Sequence, residues 1–170
     1  ACRTEPLVKR AHDLGFDSLA LTDHGVMYGA VEFYQCALKY GIKPIIGCEV
    51  NVAARTAKDK VYSLDSATSR LILLSRSNDG YHELIKIVSE SFTEGFYNVP
   101  RVDADMLKRH SKGIIALSGG PDSDIGKMIL QGDVKSARER AELWKDIFGK
   151  DNFFFELQDH GTEAELRIKN

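Results

Sequence analysis

Two short runs hold the ionisable groups best placed for chemistry. Leu21-Thr22-Asp23-His24-Gly25 and Pro44-Ile45-Ile46-Gly47-Cys48-Glu49-Val50 are apolar, strand-like stretches that run into acids or a histidine, about one βα unit apart. Asp, His and Glu hold divalent metals, and His and Glu also act as general acids or bases. Groups at the ends of successive parallel strands converge on one face of an α/β sheet or barrel. The pattern points to a metal-dependent site with His24 and Glu49 as ligands and Asp23 orienting His24 through its other ring nitrogen. A competing reading needs no ligand: Asp23 caps the following helix and His24 hydrogen-bonds the loop.

Other strand ends offer less. Ser75 and Arg76 follow the Leu71 run, and Gln158, Asp159 and His160 close the last one. The turn Ser118-Gly119-Gly120-Pro121-Asp122-Ser123 could offer backbone amides to a phosphate. It matches neither GxxxxGK[ST] nor GxGxxG, and a Gly-Pro turn capped by Asp122 is the plainer explanation. Arg55, Lys58 and Lys60 make a basic loop that could touch a phosphate backbone, but Asp59 and Asp65 dilute it. His12, His82 and His110 sit on helices among charges and read as surface residues, and His160 as a loop residue. Trp144 and Phe148 have the i, i+4 spacing of a core-facing stripe.

The elements that must position these groups follow from periodicity and turn residues. Helices are expected from Thr4 to Leu14, with Thr4 as cap, and from Ala30 to Tyr40, where Val31, Tyr34 and Leu38 share a face. More are expected from Asn78 or Asp79 through Val88, Asp103 to His110, Asp122 to Leu130, Asp133 to Phe148, and from Glu163 onward. Buried strands are expected at Asp17–Leu21, Ile42–Val52, Leu71–Leu74, Gly113–Leu117 and Asn152–Leu157. The polar stretch Ala53–Ser69 reads as a loop with a short strand at Val61–Leu64. Alternating helices and non-alternating apolar strands predict an α/β fold with a parallel sheet covered by helices.

The 170 residues are 43% hydrophobic and 28% charged, with a net charge of −2. That suits one soluble domain and gives no global basic field for nucleic acid or an anionic membrane. No apolar run nears the roughly 20 residues of a membrane span, and no signal peptide is visible. Cys2, Cys36 and Cys48 form no CxxC pair. They read as reduced thiols of a cytoplasmic protein, Cys36 and Cys48 serving as small buried hydrophobes. The chain begins without Met and stops inside a helix-like run, so residues 1–170 read as a single domain fragment truncated at both ends.

Thr22-Asp23-His24-Gly25-Val26-Met27-Tyr28-Gly29-Ala30 and Gly41-Ile42-Lys43-Pro44-Ile45-Ile46-Gly47-Cys48-Glu49-Val50 closely resemble the PHP (polymerase and histidinol phosphatase) domain of the bacterial DNA polymerase III alpha subunit. Further matches are Leu71-Ile72-Leu73-Leu74, Asn78-Asp79-Gly80-Tyr81, Ser89-Glu90-Ser91, Glu94-Gly95-Phe96-Tyr97, Pro100-Arg101-Val102-Asp103, Ile114-Ile115-Ala116-Leu117-Ser118 and Phe154-Phe155-Glu156-Leu157-Gln158-Asp159-His160-Gly161. The resemblance covers nearly the whole chain. It implies an incomplete, distorted (β/α)7 TIM-like barrel with parallel strands and outer helices.

In active PHP members the strand ends hold up to three metals for phosphoester hydrolysis, in polymerases as a proofreading 3′–5′ exonuclease. The metals activate water and stabilise the attacking and leaving oxygens. His24 and Glu49 match family ligands. The family's His-x-His and later Asp-x-His ligands have no match within residues 1–170. Two internal positions depart: Arg70 stands where active members place a His before Leu-Ile-Leu-Leu, and Gly119-Gly120 where they place a Cys or His. Arg stays protonated and repels a cation. The resemblance therefore implies a degraded site for Mn2+, Zn2+ or Mg2+ and a scaffold or interaction module. The parent would be a DNA-directed DNA polymerase (a nucleotidyltransferase) with Mg2+ at a site elsewhere. Its partners would be DNA and replicase subunits such as the sliding clamp or the proofreading subunit, with no membrane. The alternative is an active metal-dependent phosphoesterase or 3′–5′ exonuclease.

Overall fold

The computed structural model describes residues 3–170; Cys2 lies outside them. After α1 (Thr4–Asp13), β1 (Ser18–His24) and β2 (Lys43–Ala53) pair in parallel, joined by α2 (Ala30–Lys39) as a crossover. The chain then turns back. Residues 54–67 hold only α3 (Tyr62–Asp65), four residues long, so β3 (Thr68–Ser75) returns antiparallel to β2. An antiparallel return needs no crossover helix, whereas parallel strands are usually joined by one.

Next come α4 (Asn78–Thr93), β4 (Arg101–Val102), α5 (Ala104–Arg109) and β5 (Ile114–Leu117). The chain closes with α6 (Asp124–Leu130), α7 (Val134–Phe148), β6 (Phe153–Phe154) and α8 (Glu163–Lys169). The sheet order is β1-β2-β3-β5-β6, and β4 pairs with β2 beyond the point where β1 ends.

The all-parallel expectation is corrected at β3, which runs against both β2 and β5, while β1–β2, β2–β4 and β5–β6 are parallel. Among the described residues β1 and β6 do not pair. The architecture is thus a mixed α/β sheet, rich in parallel pairs, with helices packed on it.

Alternation along the strands gives the sheet two different faces. One carries Cys48, Val50, Val52, Leu71 and Leu73, all buried together with Val8, Phe33, Leu84 and Ile87 from the helices. Each such side chain contributes about 1.5–3 kcal/mol when fully buried. The other face carries Glu49, Asn51 and Arg70. Trp144 and Phe148 are both buried, as their spacing predicts.

Several local expectations are corrected. Ser77, not Asn78 or Asp79, caps α4, and Ser123, not Asp122, caps α6. Arg3 occupies the cap of α1 without a side-chain bond, and Thr4 lies inside the helix. The run Val61–Leu64 leads into helix α3, because Asp65 accepts the Val61 amide at 2.8 Å and closes a helical turn there. The last strand is shorter than expected. Cys36 is half-buried rather than buried.

Candidate site at the strand ends

Register places the site. His24 lies opposite Glu49 across β1–β2, and Asn51 lies opposite Arg70 across β2–β3. Residues two apart in a strand share a face, and direct or diagonal cross-strand neighbours meet. His24, Glu49, Asn51 and Arg70 therefore gather on one side of the sheet. Because β3 is reversed, its beginning reaches the end where β1 stops.

Nδ1 of His24 donates to Oε1 of Glu49 at 2.6 Å, since an ionised carboxylate can only accept. The Arg70 guanidinium stands 3.1 Å from the same oxygen and 4.0 Å from Asp122 Oδ2. Asn51 is buried and donates to the Pro100 carbonyl at 3.1 Å, tying β2 to the segment before β4.

Asp23 is not brought to His24. It points to the opposite face of β1, where its carboxylate would crowd any side chain placed on Gly29. Nδ1 of His24 donates to Glu49 instead. Gly119 takes a left-handed φ of 76° and packs against the Arg70 backbone. At Gly120 the Gln158 side chain fills the space a Cβ would need, and Gln158 donates to Glu156 at 2.9 Å. A backbone turn and an amide thus occupy the place at Gly119-Gly120 where the PHP resemblance implies that a ligand is missing.

These residues do not fit a metal cluster. Among the described residues no group of three or more His, Cys, Asp or Glu side chains could hold an ion. Glu49 Oε1 is shared by an imidazole and a guanidinium, so a fixed positive charge stands where a metal would have to approach. The pair geometry allows anchoring of the strand ends. No hydrolytic step follows from it.

The Arg55 loop is also committed internally. Arg55 donates to both oxygens of buried Asp65 at 2.9 and 2.6 Å, and this holds the Asp65 carboxyl below its ordinary range. Arg101, fully buried, donates to the carbonyls of Gly95, Asp65, Ala57 and Asp59. It thereby fixes the loop between Glu49 and Arg70.

One cluster was hidden in the sequence. His110, its side chain only 13% exposed, lies between Glu83 (2.6 Å from Nδ1) and Glu90 (2.8 Å from Nε2). Lys86 and His110 hold the Glu83 carboxyl below its usual range. Burial opposes ionisation of Glu90, and Arg109 with His110 outweighs it. The signal available was the spacing of Glu83 and Glu90, two helical turns apart on one face.

The PHP domain family model matches residues 1–160. The chain belongs to the PHP domain family. It is 38% identical to the DNA polymerase III subunit alpha of Treponema pallidum over 99% of its length, and 42% identical to that of Thermus aquaticus over 89%. This PHP chain spans only 14% and 12% of those two proteins. A crystal structure named "putative metal-dependent phosphoesterase", from Bifidobacterium adolescentis, has a TM-score of 0.53 and 11% identity. That match covers 99% of this chain and 76% of the other. At that identity the likeness speaks to the fold alone. Among the described residues no helix of this PHP domain is long and apolar enough to cross a membrane.

Proposed function

We propose that this chain is the PHP segment of a bacterial replicative DNA polymerase alpha subunit, acting as a scaffold and interaction module. In this reading the parent is cytoplasmic and extends DNA from nucleoside triphosphates, with Mg2+ bound elsewhere in its own chain. Replicase subunits such as the sliding clamp or the proofreading subunit bind the assembly. The described sheet is then part of a distorted (β/α)7 barrel. The single observation that carries the scaffold role is Arg70 on Glu49, a permanent cation 3.1 Å from the carboxylate that the family uses as a ligand. Identity to alpha subunits along nearly the whole chain supports the parent.

Two measurements test it. Intact mass of the gene product from source cells is expected to give a chain several times longer than 170 residues. Mn2+ titration of that chain, followed by electron paramagnetic resonance, is expected to show no bound-ion signal that disappears in His24→Ala. A product only slightly longer than 170 residues, or a His24-dependent Mn2+ signal, overturns the reading.

A second reading, an active metal-dependent phosphoesterase or 3′–5′ exonuclease, draws on one feature. With Nδ1 of His24 turned to Glu49, Nε2 carries no hydrogen bond to the protein among the described residues. It predicts hydrolysis of bis(p-nitrophenyl) phosphate that chelator abolishes and His24→Ala removes.

A further inference from the structure

The far end of the β2–β3 ladder carries a second feature. The ladder's last pair at that end is Gly47 with Leu74; one step on, Ser75 Oγ donates to the Ile46 carbonyl at 2.9 Å, and residues 43–45 of β2 have no β3 partner. A cleft of about 660 Å³ opens there between α2 and α4. Its floor is Ile45, Ile46, Leu74 and Ile115, and its α2 wall is Val31 and Tyr34.

α2 has two apolar faces. Ala30, Phe33 and Ala37 are buried against the sheet. Val31, Tyr34 and Leu38, at i, i+3 and i+7, are 63%, 49% and 56% exposed. The stripe that the sequence marks as a shared face is therefore not the core face. It is a second apolar surface bordering the cleft. An exposed apolar stripe beside an apolar-floored cleft is a candidate docking surface.

Charge indicates what fits it. Lys43 and Arg76 stand in the lining, and no carboxylate lines the cleft among the described residues. Lys43 makes no ion pair there, and Arg76 gives one bond, to the neutral amide of Asn152 at 3.1 Å. The N-terminus of α4, sixteen residues long, also opens toward the cleft at Ser77 and Asn78. Its dipole adds to the same positive potential. Two cations, a helix start and an apolar floor are complementary to a peptide with acidic residues flanking apolar anchors.

We propose that the cleft between α2 and α4 docks an acidic, apolar-anchored peptide segment of a partner protein. Val31 and Tyr34 receive the anchors, and Lys43 and Arg76 receive the carboxylates. The inference builds on the interaction-module reading above but fails separately from it, because it concerns neither His24 nor metal.

The test uses the full-length gene product. A displayed library of random 16-residue peptides is selected on it and counter-selected on the Val31→Glu/Tyr34→Glu variant. Both side chains are exposed, so this variant is expected to fold. The enriched peptides are expected to be net negative, with apolar residues between the acids. By fluorescence anisotropy, a synthetic copy of the most enriched one is expected to bind Lys43→Glu/Arg76→Glu at least tenfold more weakly. Its Asp/Glu-to-Lys counterpart should bind that variant better than the parent. The proposal is overturned by enrichment of basic peptides, by affinity unchanged in Lys43→Glu/Arg76→Glu, or by no cleft-dependent enrichment. The last result would mean that the remainder of the long chain fills the cleft.

Discussion

Replacing Arg101 should unfasten the loop that separates Glu49 from Arg70. The guanidinium is fully buried and donates to four backbone carbonyls at 3.1, 3.2, 2.8 and 2.9 Å. It also lies 5.1 Å above the Tyr97 ring. Among the described residues no carboxylate accepts from it, so its net worth rests on saturating carbonyls in segments that form no sheet. Three of the four contacts are buried. Orphaning a buried acceptor costs about 1–3 kcal/mol, and the low end applies where a loop can admit water. The sum for Arg101→Ala is a loss of roughly 3–5 kcal/mol, against a total domain stability of about 5–15 kcal/mol.

Two further variants separate the causes. Lys keeps the charge but is a point donor without the planar fork, so Arg101→Lys should lose about half as much. Arg101→Met keeps most of the volume and removes the cost of burying charge. Urea melts give the free energies, and hydrogen exchange by mass spectrometry reports on residues 54–67. The expected pattern is a large loss for Ala, an intermediate one for Lys, and early exchange in that loop for all three. Arg101→Met as stable as the parent, with loop protection intact, would refute the reasoning, because the carbonyls would then not need the guanidinium.

Three other outcomes follow from the same structure. His160 donates from Nδ1 to Glu165 at 2.6 Å; this bond holds the Glu165 carboxyl down at about 2 and raises His160 above 6.5. The Glu165 contribution is present above its ordinary value of 4.5 and is lost as pH falls toward about 2. The His160 contribution is present below 6.5 and is lost as pH rises through its raised value. Protection factors in α8 should therefore peak between pH 4.5 and 6.5; a flat profile from acid to alkaline pH, or one unchanged in Glu165→Gln, contradicts this. Burial pushes the Cys48 thiol up to about 12, so iodoacetamide near neutral pH should leave it unmodified until urea is added. Peptide mass mapping that finds Cys48 alkylated in the native protein as fast as Cys36 counts against that burial. Finally, Gly80→Ala, which would help an exposed helix by about 1 kcal/mol, should here lower stability by roughly 2–3 kcal/mol. The added Cβ would meet the Gly113 carbonyl oxygen at 1.9 Å, backbone against backbone. A raised melting temperature would show that α4 slides freely over that turn.

The sequence made some of this legible and hid the rest for identifiable reasons. His24 and Glu49 stand out because each sits on a short apolar run, and strand burial is a local pattern. The direction of β3 is not local: Leu71-Ile72-Leu73-Leu74 reads the same for either polarity, and the direction shows only in its antiparallel pairing with β2 and β5. The burial of the two α2 faces is not legible for a related reason. Val31, Tyr34 and Leu38 have good helical spacing, but so do Phe33 and Ala37, and periodicity cannot rank two apolar faces of one helix. In the sequence His110 reads as a surface residue because its carboxylate partners lie 27 and 20 positions away. The sequence leaves the α4 cap open because Ser77, Asn78 and Asp79 are all competent, and backbone geometry chooses Ser77. Asp122 yields its cap to Ser123 and faces Arg70 instead.

The reversal of β3 and the charge at position 70 are one fact about the site rather than two. Arg70 is the third residue of β3. In a parallel strand that position would lie at the opposite end of the sheet from His24, and its residue type would be indifferent to the site. Because β3 runs backward, Arg70 pairs with Asn51 and stands diagonal to Glu49 on the same face. The chemistry at the strand ends is therefore especially sensitive to this one residue: a neutral imidazole there could join His24 and Glu49 around an ion, whereas a guanidinium takes the carboxylate for itself. The Arg70–Glu49 pair is partly exposed and worth at most about 1 kcal/mol as a stabilising contact. Its greater consequence is electrostatic, since a permanent positive charge 3.1 Å from the carboxylate oxygen opposes any cation that approaches the same atom.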